Sequence, residues 1–243
     1  MSKFSPADFL VVSMARQIRD RTAVATGVLS WLPMLAIALA RATHAPRLTY
    51  LNCAGAINPR LRPLPASSTD AALLRRNPYC LRLTDLWEQA AAGRLDLMFF
   101  GFAQLDARGE SNLSRLAGLN GRARKLPGVA GAFALRQLVA KPVLFCGRHT
   151  CRSFVPRVDA VTTVATRKPA TVVTDLGVFR LAEGTLEIAS LHPTATLNQV
   201  EAQTGFPVRR PRRVRPTPPP SPRERRALQE LDAKKIRNRY VER

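Results

Sequence analysis

Cysteine and histidine are the residue types in this chain that most readily do nucleophilic or metal chemistry, and it has four cysteines and three histidines. Cys146 and Cys151 flank His149 in the run FCGRHTC, which resembles one half of a metal site. A zinc knuckle needs a second ligand pair at short spacing, and no such pair is present. A domain of this size also does not need disulfides for its stability. We therefore predict reduced, structural thiols and no metal site.

Cys53 stands apart from the other cysteines because it closely follows a short apolar run, 48–51, that is typical of a buried strand. In an electropositive site the pKa of the Cys53 thiol would fall, and the thiolate would be a nucleophile. Alternatively, Cys53 is a small residue that fills space at the end of a strand. The sequence leaves both interpretations open.

Two further loops are candidate ligand sites. Gln104, Asp106 and Asn112 lie in a polar loop that follows an apolar, strand-like run, at the position where α/β folds bind ligands. Gly128 and Gly131 lie in a loop that would let a ligand approach the backbone closely, because glycine has no side chain to obstruct it. A plain turn explains the second pair of residues equally well.

Strand-like runs alternate with segments of helical periodicity along the first 206 residues. The predicted helices begin at Pro6 and Pro33 and span 84–92 and 222–232, and the predicted strands are 23–26, 48–51, 95–100, 141–145, 160–164, 171–174, 178–181 and 185–190. This alternation indicates an α/β fold with an open, mainly parallel sheet and helices on both faces. The strand-rich later part is expected to add antiparallel pairs.

A change in composition after Phe206 divides the chain into two parts. Residues 1–206 form the predicted α/β domain, and residues 207–243 form an arm rich in proline and arginine. Repeated prolines exclude a long helix or a central strand from the start of the arm. Ser221 is suited to cap a short helix that follows.

The chain is strongly basic, with 38 lysines and arginines against 17 acidic residues and a formal net charge of +21. Such a charge attracts nucleic acid, anionic membranes or phosphate-bearing molecules. An uncharged stretch, 22–40, has nearly the length of a membrane span, but it contains polar residues and Pro33. A strand, a turn and a helix fit this stretch better, so we expect no membrane association.

Segments along nearly the whole chain resemble the β subunits of class I CoA-transferases, in particular the glutaconate CoA-transferase type. The matching segments, in order, are 9–12, 40–46, 101–106, 126–132, 152–155, 173–179, 191–193 and 204–206. The arm resembles the usual end of these subunits at 217–220 and 228–232. This likeness makes a structural role for the arm the better interpretation, so nucleic-acid binding is not expected despite the net charge.

The resemblance implies a cytoplasmic αβ or α₂β₂ enzyme in which an α-type subunit is the partner and CoA moves between carboxylic acids. An acyl-CoA thioester is the implied substrate, and no cofactor is bound permanently. In this family a β-subunit glutamate attacks the thioester, and backbone amides hold the oxyanion. The positions that we expect to bind the CoA thioester are Gly55, Gly101, Gln104, Asn112, Gly128 and Gly131.

Two departures from the family pattern fall at its chemical centre. Cys53 occupies the position of the catalytic glutamate, and no carboxylate lies between Asp20 and Asp70 to replace it. Upstream, Trp31 and a single nearby glycine, Gly27, stand where the family has a Gly-x-Gly turn, and Trp31 would crowd a backbone site. We predict non-standard chemistry, with Cys53 as the candidate catalytic residue. A ring-opening type of acyl-CoA hydrolase subunit and a non-catalytic structural subunit remain alternatives.

Overall fold

Short apolar strands form the centre of the computed structural model, which describes residues 4–75, 77, 79–118, 122–166 and 168–241. The strands are β1 (Ala23–Thr26), β2 (Thr49–Asn52), β3 (Leu97–Gly101), β4 (Gln104–Leu105), β5 (Ser111–Asn112), β6 (Arg115–Leu116), β7 (Arg124–Lys125), β8 (Lys141–Phe145), β9 (Ala170–Val173), β10 (Gly177–Ala182), β11 (Thr185–Leu191) and β12 (Val208–Arg209). The α-helices are α1 (Pro6–Ala15), α2 (Trp31–Ala42), α3 (Leu83–Ala91), α4 (Ala132–Leu138), α5 (Leu197–Ala202) and α6 (Pro222–Leu231).

Eight of these strands form one open sheet in the order β12-β11-β10-β9-β8-β3-β1-β2. Within this sheet β10 runs against both of its neighbours, and the other pairs are parallel. The hairpin between β10 and β11 turns at Glu183 and Gly184, whose φ angles of 52° and 71° match the twist of antiparallel strands. The predicted fold class, a mainly parallel sheet with antiparallel pairs in its later part, is confirmed.

Helices cover both faces of the sheet and bury two separate hydrophobic cores. Apolar residues of α1, α2 and α6 line one core, and residues of α3, α4 and α5 line the other. Successive side chains of a strand point to opposite faces, so Val24 of β1 belongs to the first core and Ala25 to the second. Burial on both faces explains why these strands are apolar throughout rather than alternating.

The first helix begins where its sequence predicts. The side-chain oxygen of Ser5 accepts a hydrogen bond from the backbone N–H of Asp8 at 3.2 Å, and the Asp8 carboxylate accepts one from the backbone N–H of Ser5 at 2.9 Å. Pro6 takes the first helical position, where its missing N–H has no helical partner to lose. The two caps together satisfy backbone donors that the first turn of a helix otherwise leaves open.

The predicted strand 160–164 is wrong. The segment makes only an isolated bridge, between Thr163 and Ser111, because its partner is a hairpin rather than a strand of the large sheet. The Thr162 hydroxyl accepts from the backbone N–H of Leu113 at 2.8 Å and bonds the Ser114 hydroxyl at 2.7 Å. These side-chain bonds take the place of a regular ladder.

The uncharged stretch 22–40 folds into β1, a loop and the start of α2, as the sequence predicted. The helix begins at Trp31, two residues before the expected Pro33. None of the helices in the described ranges is long and apolar enough to span a bilayer.

Ion pairs that are buried or partly buried fix the arm to the start of the chain. Arg16 donates to both carboxylate oxygens of Glu224, at 2.9 and 2.7 Å. Arg237, whose side chain is 6% exposed, donates to Asp8 at 2.7 Å and to Asp232 at 2.8 Å. Between these two points, α6 packs its apolar side into the first core. The arm is therefore held against both ends of α1.

Replacement of Arg237 by methionine will test how far this attachment of the arm stabilises the fold. The change leaves the carboxylates of Asp8 and Asp232 without their cation in a buried setting, so we expect the free energy of unfolding to fall by about 3 kcal/mol. Denaturant unfolding measures this loss. The matched control is Arg239→Met in the same turn, since Arg239 is exposed and its replacement should change stability little. Equal effects of the two substitutions would contradict a structural role for the Arg237 ion pairs.

Candidate active site

The carboxyl ends of β1 and β2 form the centre of the candidate site. The strands are parallel neighbours in which Thr26 lies opposite Asn52, so Gly27 and Cys53 leave the sheet side by side. The chain then returns past β1, because β3 pairs with the other edge of β1. Strand order therefore reverses between β1 and β3, and open α/β sheets usually bind ligands outside the carboxyl ends of the strands at such a reversal, next to the loop that follows β1.

Cys53 lies in a tight turn that immediately follows β2. The backbone N–H of Gly55 donates to the carbonyl of Asn52 at 2.9 Å, and the N–H of Ala54 donates to the Asn52 side-chain oxygen at 2.8 Å. Gly55 has a φ of 106°, and a Cβ at this position would lie 3.0 Å from the carbonyl oxygen of Leu81. Glycine is therefore required here by both conformation and space.

The Cys53 thiol is half-buried and free of any disulfide. Burial raises the pKa of this thiol to about 11, and a hydrogen bond from its own backbone only partly offsets that effect. At neutral pH the side chain is therefore an uncharged thiol rather than a thiolate. A thiol is a poor nucleophile, because the thiolate is the reactive form of cysteine.

A buried chain of hydrogen bonds supports the turn from below. The Tyr50 hydroxyl accepts from the side-chain amide of Asn52 at 2.8 Å and lies 2.8 Å from the Thr26 hydroxyl. The same Asn52 amide donates to the carbonyl of Ser68 at 2.9 Å. Burial raises the pKa of Tyr50 to about 12, so its hydroxyl keeps its proton. These contacts tie β1, β2 and the segment around Ser68 into one unit.

Ser68 also reaches the loop that follows β1. Its hydroxyl accepts from the backbone N–H of Ser30 at 2.8 Å and donates to the carbonyl of Gly27 at 3.3 Å. Nearby, the indole N–H of Trp31 donates to the carbonyl of Pro65 at 3.1 Å. The segment that contains residues 65–68 therefore holds together the two loops of the candidate site.

Trp31 does not crowd the loop, contrary to the sequence-based expectation. Its side chain is 4% exposed and belongs to the core that α1 and α2 form. The indole stacks on Tyr240 of the arm with a centroid separation of 5.8 Å and an angle of 6° between the rings. Since α2 begins at Trp31, the helix directs this residue into its own packed face. The arm thus contacts the first residue of α2.

Apolar side chains surround the open part of the site. Val28 and Leu29, in the loop after β1, are 58% and 68% exposed. Leu74 is also exposed, and a Cβ at Gly55 would lie 3.7 Å from its methyl group. Exposed leucine and valine side chains grouped beside a strand-end crevice are typical of a ligand or subunit contact.

The polar loop after β3 is largely satisfied internally. Asn112 donates to the side-chain oxygen of Gln104 at 2.7 Å, and Gln104 donates to Asp159 at 3.0 Å. Both residues are buried on the small β4–β5 hairpin. A Cβ at Gly101 would lie 3.3 Å from the ring of Phe145, so this glycine makes room for an aromatic side chain. Binding of CoA by these three positions stays a prediction.

The two glycines before α4 differ from one another in their surroundings. Gly128 has a φ of 94° with open space where a side chain would be, so its backbone is accessible. Gly131 lies against Trp87 of α3, and a Cβ there would be 2.0 Å from the ring. Packing of α3 against α4 therefore accounts for Gly131. A role in substrate binding stays a prediction for both residues.

Within the FCGRHTC run, His149 is buried, whereas Arg148 and Cys151 are exposed. The ring nitrogens of His149 lie 2.8 Å from the Thr204 hydroxyl and 3.2 Å from the Thr174 hydroxyl. Its ring also stacks on Phe154, and burial lowers the pKa of His149 to about 3. Within the part of the chain that the structure describes, no three histidine, cysteine or acidic side chains converge as a metal site.

Sequence reasoning missed the residues that hold the site together. Tyr50 and Asn52 interrupt an apolar strand with polar groups, and buried polar groups of this kind signal a hydrogen-bonded network. Ser68 gives no comparable signal, because it is 16 residues from Asn52 and lies in a loop. The position of Ser68 next to Asn52 depends on how the chain after β2 folds back onto the sheet.

Comparisons with known proteins place these features in context. No protein-family model matches the chain. The chain is 29% identical to the β-type subunit of the 3-oxoadipate CoA-transferase of Pseudomonas knackmussii, over 96% of this chain and 95% of that one. It is 27% identical to the cholesterol ring-cleaving hydrolase IpdB subunit of Rhodococcus jostii, over 99% of this chain and 98% of that one.

Among solved structures, the decarboxylase AibA/AibB superimposes with a TM-score of 0.93 and 40% identity, covering 98% of both chains. Four further structures of that decarboxylase carry single replacements of one cysteine, by asparagine, valine, alanine or serine. The replaced cysteine matches the position of Cys53. All four variants still superimpose with TM-scores of 0.92 or 0.93, so that fold tolerates the loss of the thiol.

Replacement of Tyr50 by phenylalanine will test the buried chain of hydrogen bonds. Loss of the hydroxyl leaves the Asn52 amide with one acceptor fewer and the Thr26 hydroxyl with one partner fewer, so we expect the free energy of unfolding to fall by about 2 kcal/mol. The control is Tyr79→Phe, because Tyr79 is 68% exposed and its hydroxyl can bond water. Chemical denaturation compares the two variants. Equal stability of both with the unmodified protein would contradict the proposed importance of this network.

Proposed function

Because this chain belongs to the class I CoA-transferase family as a β-type subunit, we propose that it forms, with an α-type subunit, an enzyme that decarboxylates the CoA thioester of a dicarboxylic acid. The observation that carries the proposal is an uncharged, half-buried Cys53 at the family's glutamate position. The thiol takes the place of the carboxylate on which CoA transfer depends, at the carboxyl end of β2.

The standard transfer reaction lacks its nucleophile in this chain. No carboxylate lies between Asp20 and Asp70, so neither loop of the candidate site offers a replacement. Cys53 is not a substitute, because its pKa of about 11 keeps it protonated at neutral pH. Formation of a glutamyl-CoA intermediate is therefore excluded for these loops. A reaction that needs no covalent intermediate fits the site better.

Decarboxylation needs an electron sink rather than a nucleophile, and the thioester of the substrate supplies that sink. In a CoA thioester such as glutaconyl-CoA, the C–C bond to the carboxylate breaks and CO₂ leaves. The electron pair moves through the double bond to the thioester oxygen, and a proton from water then restores a neutral acyl-CoA. The enzyme contributes positioning and stabilisation of the developing oxyanion, for which backbone N–H groups at strand ends are suited.

The comparisons support this choice among the activities of the family. The decarboxylase AibA/AibB shares 40% of its residues with this chain over nearly the full length, against 29% for the transferase subunit and 27% for the hydrolase subunit. It also has a cysteine that matches Cys53. The transferase takes its name from a dicarboxylate, 3-oxoadipate, which supports a dicarboxylic acyl group as the substrate class.

An assay on the complex with its α-type subunit will distinguish decarboxylation from thioester hydrolysis and from CoA transfer. Glutaconyl-CoA is the substrate, and the products measured are CO₂, free CoA and acetyl-CoA formed in the presence of acetate. We expect CO₂ in a one-to-one ratio with the decarboxylated acyl-CoA. 3-Oxoadipyl-CoA is the control substrate, because its carboxylate is two methylene groups from the nearest carbonyl and cannot pass electrons to the thioester. Free CoA without CO₂ would identify a thioester hydrolase instead, and acetyl-CoA a transferase.

Two substitutions of Cys53 will distinguish the effect of a charge at this position from a direct chemical role of the thiol. Cys53→Ala should lower kcat by less than about tenfold, because the reaction uses no thiolate. Cys53→Asp should lower kcat/KM by more than about tenfold, because a carboxylate in a half-buried position repels the substrate carboxylate. Steady-state CO₂ release from the complex measures both. A loss of several orders of magnitude in the alanine variant would instead assign a direct chemical role to the thiol.

A further inference from the structure

The loop after β1 presents two apolar side chains in an unusual setting. Val28 and Leu29 are 58% and 68% exposed, and Leu29 has a φ of 54°. A leucine rarely adopts this left-handed conformation, because its Cβ approaches the following carbonyl oxygen. Glycine would adopt the same backbone without strain. The chain therefore keeps a large apolar side chain at a position that disfavours one.

Neighbouring hydrogen bonds hold the loop in this conformation. The backbone N–H of Ser30 donates to the Ser68 hydroxyl at 2.8 Å, and the Ser30 hydroxyl donates to the carbonyl of Val28 at 3.3 Å. The Ser68 hydroxyl also donates to the carbonyl of Gly27 at 3.3 Å. Strained backbone persists only where its surroundings enforce it, and such residues concentrate at functional sites.

The loop lies beside Cys53, because both follow the carboxyl ends of neighbouring strands. Gly27 and Cys53 leave adjoining strands in register, two residues before Leu29. Ser68 connects the two loops, because its hydroxyl bonds Ser30 while its carbonyl accepts from Asn52. Neither loop contains an acidic residue. The carboxyl end of β1 is therefore followed by an apolar loop, and the carboxyl end of β2 is followed by an uncharged thiol.

From this arrangement we infer that the Leu29 side chain raises the rate of decarboxylation and determines substrate specificity. It does so by removing water from the carboxylate that the substrate loses. The inference rests on the proposed decarboxylation. A carboxylate holds its charge on two oxygens and is strongly hydrated, whereas the transition state spreads that charge and releases apolar CO₂. An apolar wall therefore disfavours the ground state more than the transition state, which raises kcat.

The same geometry explains why a leucine is kept in place of the strain-free glycine. Glycine at this position would leave the carboxyl end of β1 open to water beside the reacting carboxylate. Val28 adds apolar surface next to Leu29, and the neutral Cys53 avoids a competing charge. A wall of this kind accelerates the reaction only of acyl groups that place a carboxylate against it, because an apolar end has no charge to desolvate. The free energy that binding of the CoA portion releases offsets the cost of desolvation.

Three substitutions of Leu29 in the complex with the α-type subunit will test the inference, with glutaconyl-CoA as substrate. Leu29→Gly removes the apolar side chain and relieves the backbone. Leu29→Asn tolerates the left-handed backbone but is polar. Both should lower kcat by about tenfold or more and lower KM as well, because the wall acts by destabilising the bound substrate carboxylate. Leu29→Met, which restores apolar surface, should have a kcat well above that of the glycine variant.

Thermal unfolding and a distant control separate this role from a structural one. The glycine variant should unfold at an unchanged or higher temperature, because its backbone strain is relieved. Glu183→Gly relieves a similar φ of 52° in the β10–β11 turn and should leave kcat unchanged. Copurification of the α-type subunit checks assembly of each variant.

Each outcome of the Leu29 series decides the inference. An unchanged kcat in the glycine and asparagine variants would overturn it while leaving the proposed function intact. Loss of the α-type subunit from these variants would also overturn it, because Leu29 would then be a subunit contact. If the unmodified complex releases no CO₂ from glutaconyl-CoA, both the proposed function and this inference fail.

Discussion

The side-chain amide of Asn52 is the contact on which the candidate site depends. Its nitrogen donates to Tyr50 and to the Ser68 carbonyl, and its oxygen accepts from Ala54 in the turn that contains Cys53. A fully buried amide must satisfy both its donors and its acceptor inside the protein, so the three contacts enforce one another. Strand, turn and returning segment are fixed together because one side chain bonds all of them.

An absence of charge is the chemical consequence of this construction. In the family the position of Cys53 holds a glutamate, whereas here burial keeps the thiol neutral. The neighbouring loop exposes Val28 and Leu29 instead of a glycine-rich backbone. The two departures from the family pattern therefore act in the same direction. They replace a nucleophilic, polar centre by an apolar one, which suits a reaction whose substrate already contains its own electron sink.

Particular elements show how far sequence reasoning reached. Runs of apolar residues located β1 and β8 with their observed ends, and the Ser5–Pro6 cap located the start of α1, because these signals are local. The threonine-rich segment 160–164 also had the composition of a strand, yet it bonds a hairpin outside the large sheet. Composition reports that a segment suits a sheet, but it does not report whether a neighbouring strand is present. Trp31 was misjudged for a similar reason, since the start of α2 decides on which side of the loop its indole packs.

The sequence by itself determined the family resemblance, the α/β class and the replacement of the catalytic glutamate by Cys53, because each is a property of residue order. Only the tertiary structure decided that the pKa of this thiol lies above its ordinary value, since the shift depends on burial by residues distant in the chain. It also decided that the basic arm is attached through Arg16 and Arg237, and that Ser68 joins the two site loops. Electrostatics and hydrogen bonds of this kind depend on distances in space, which residue order does not specify.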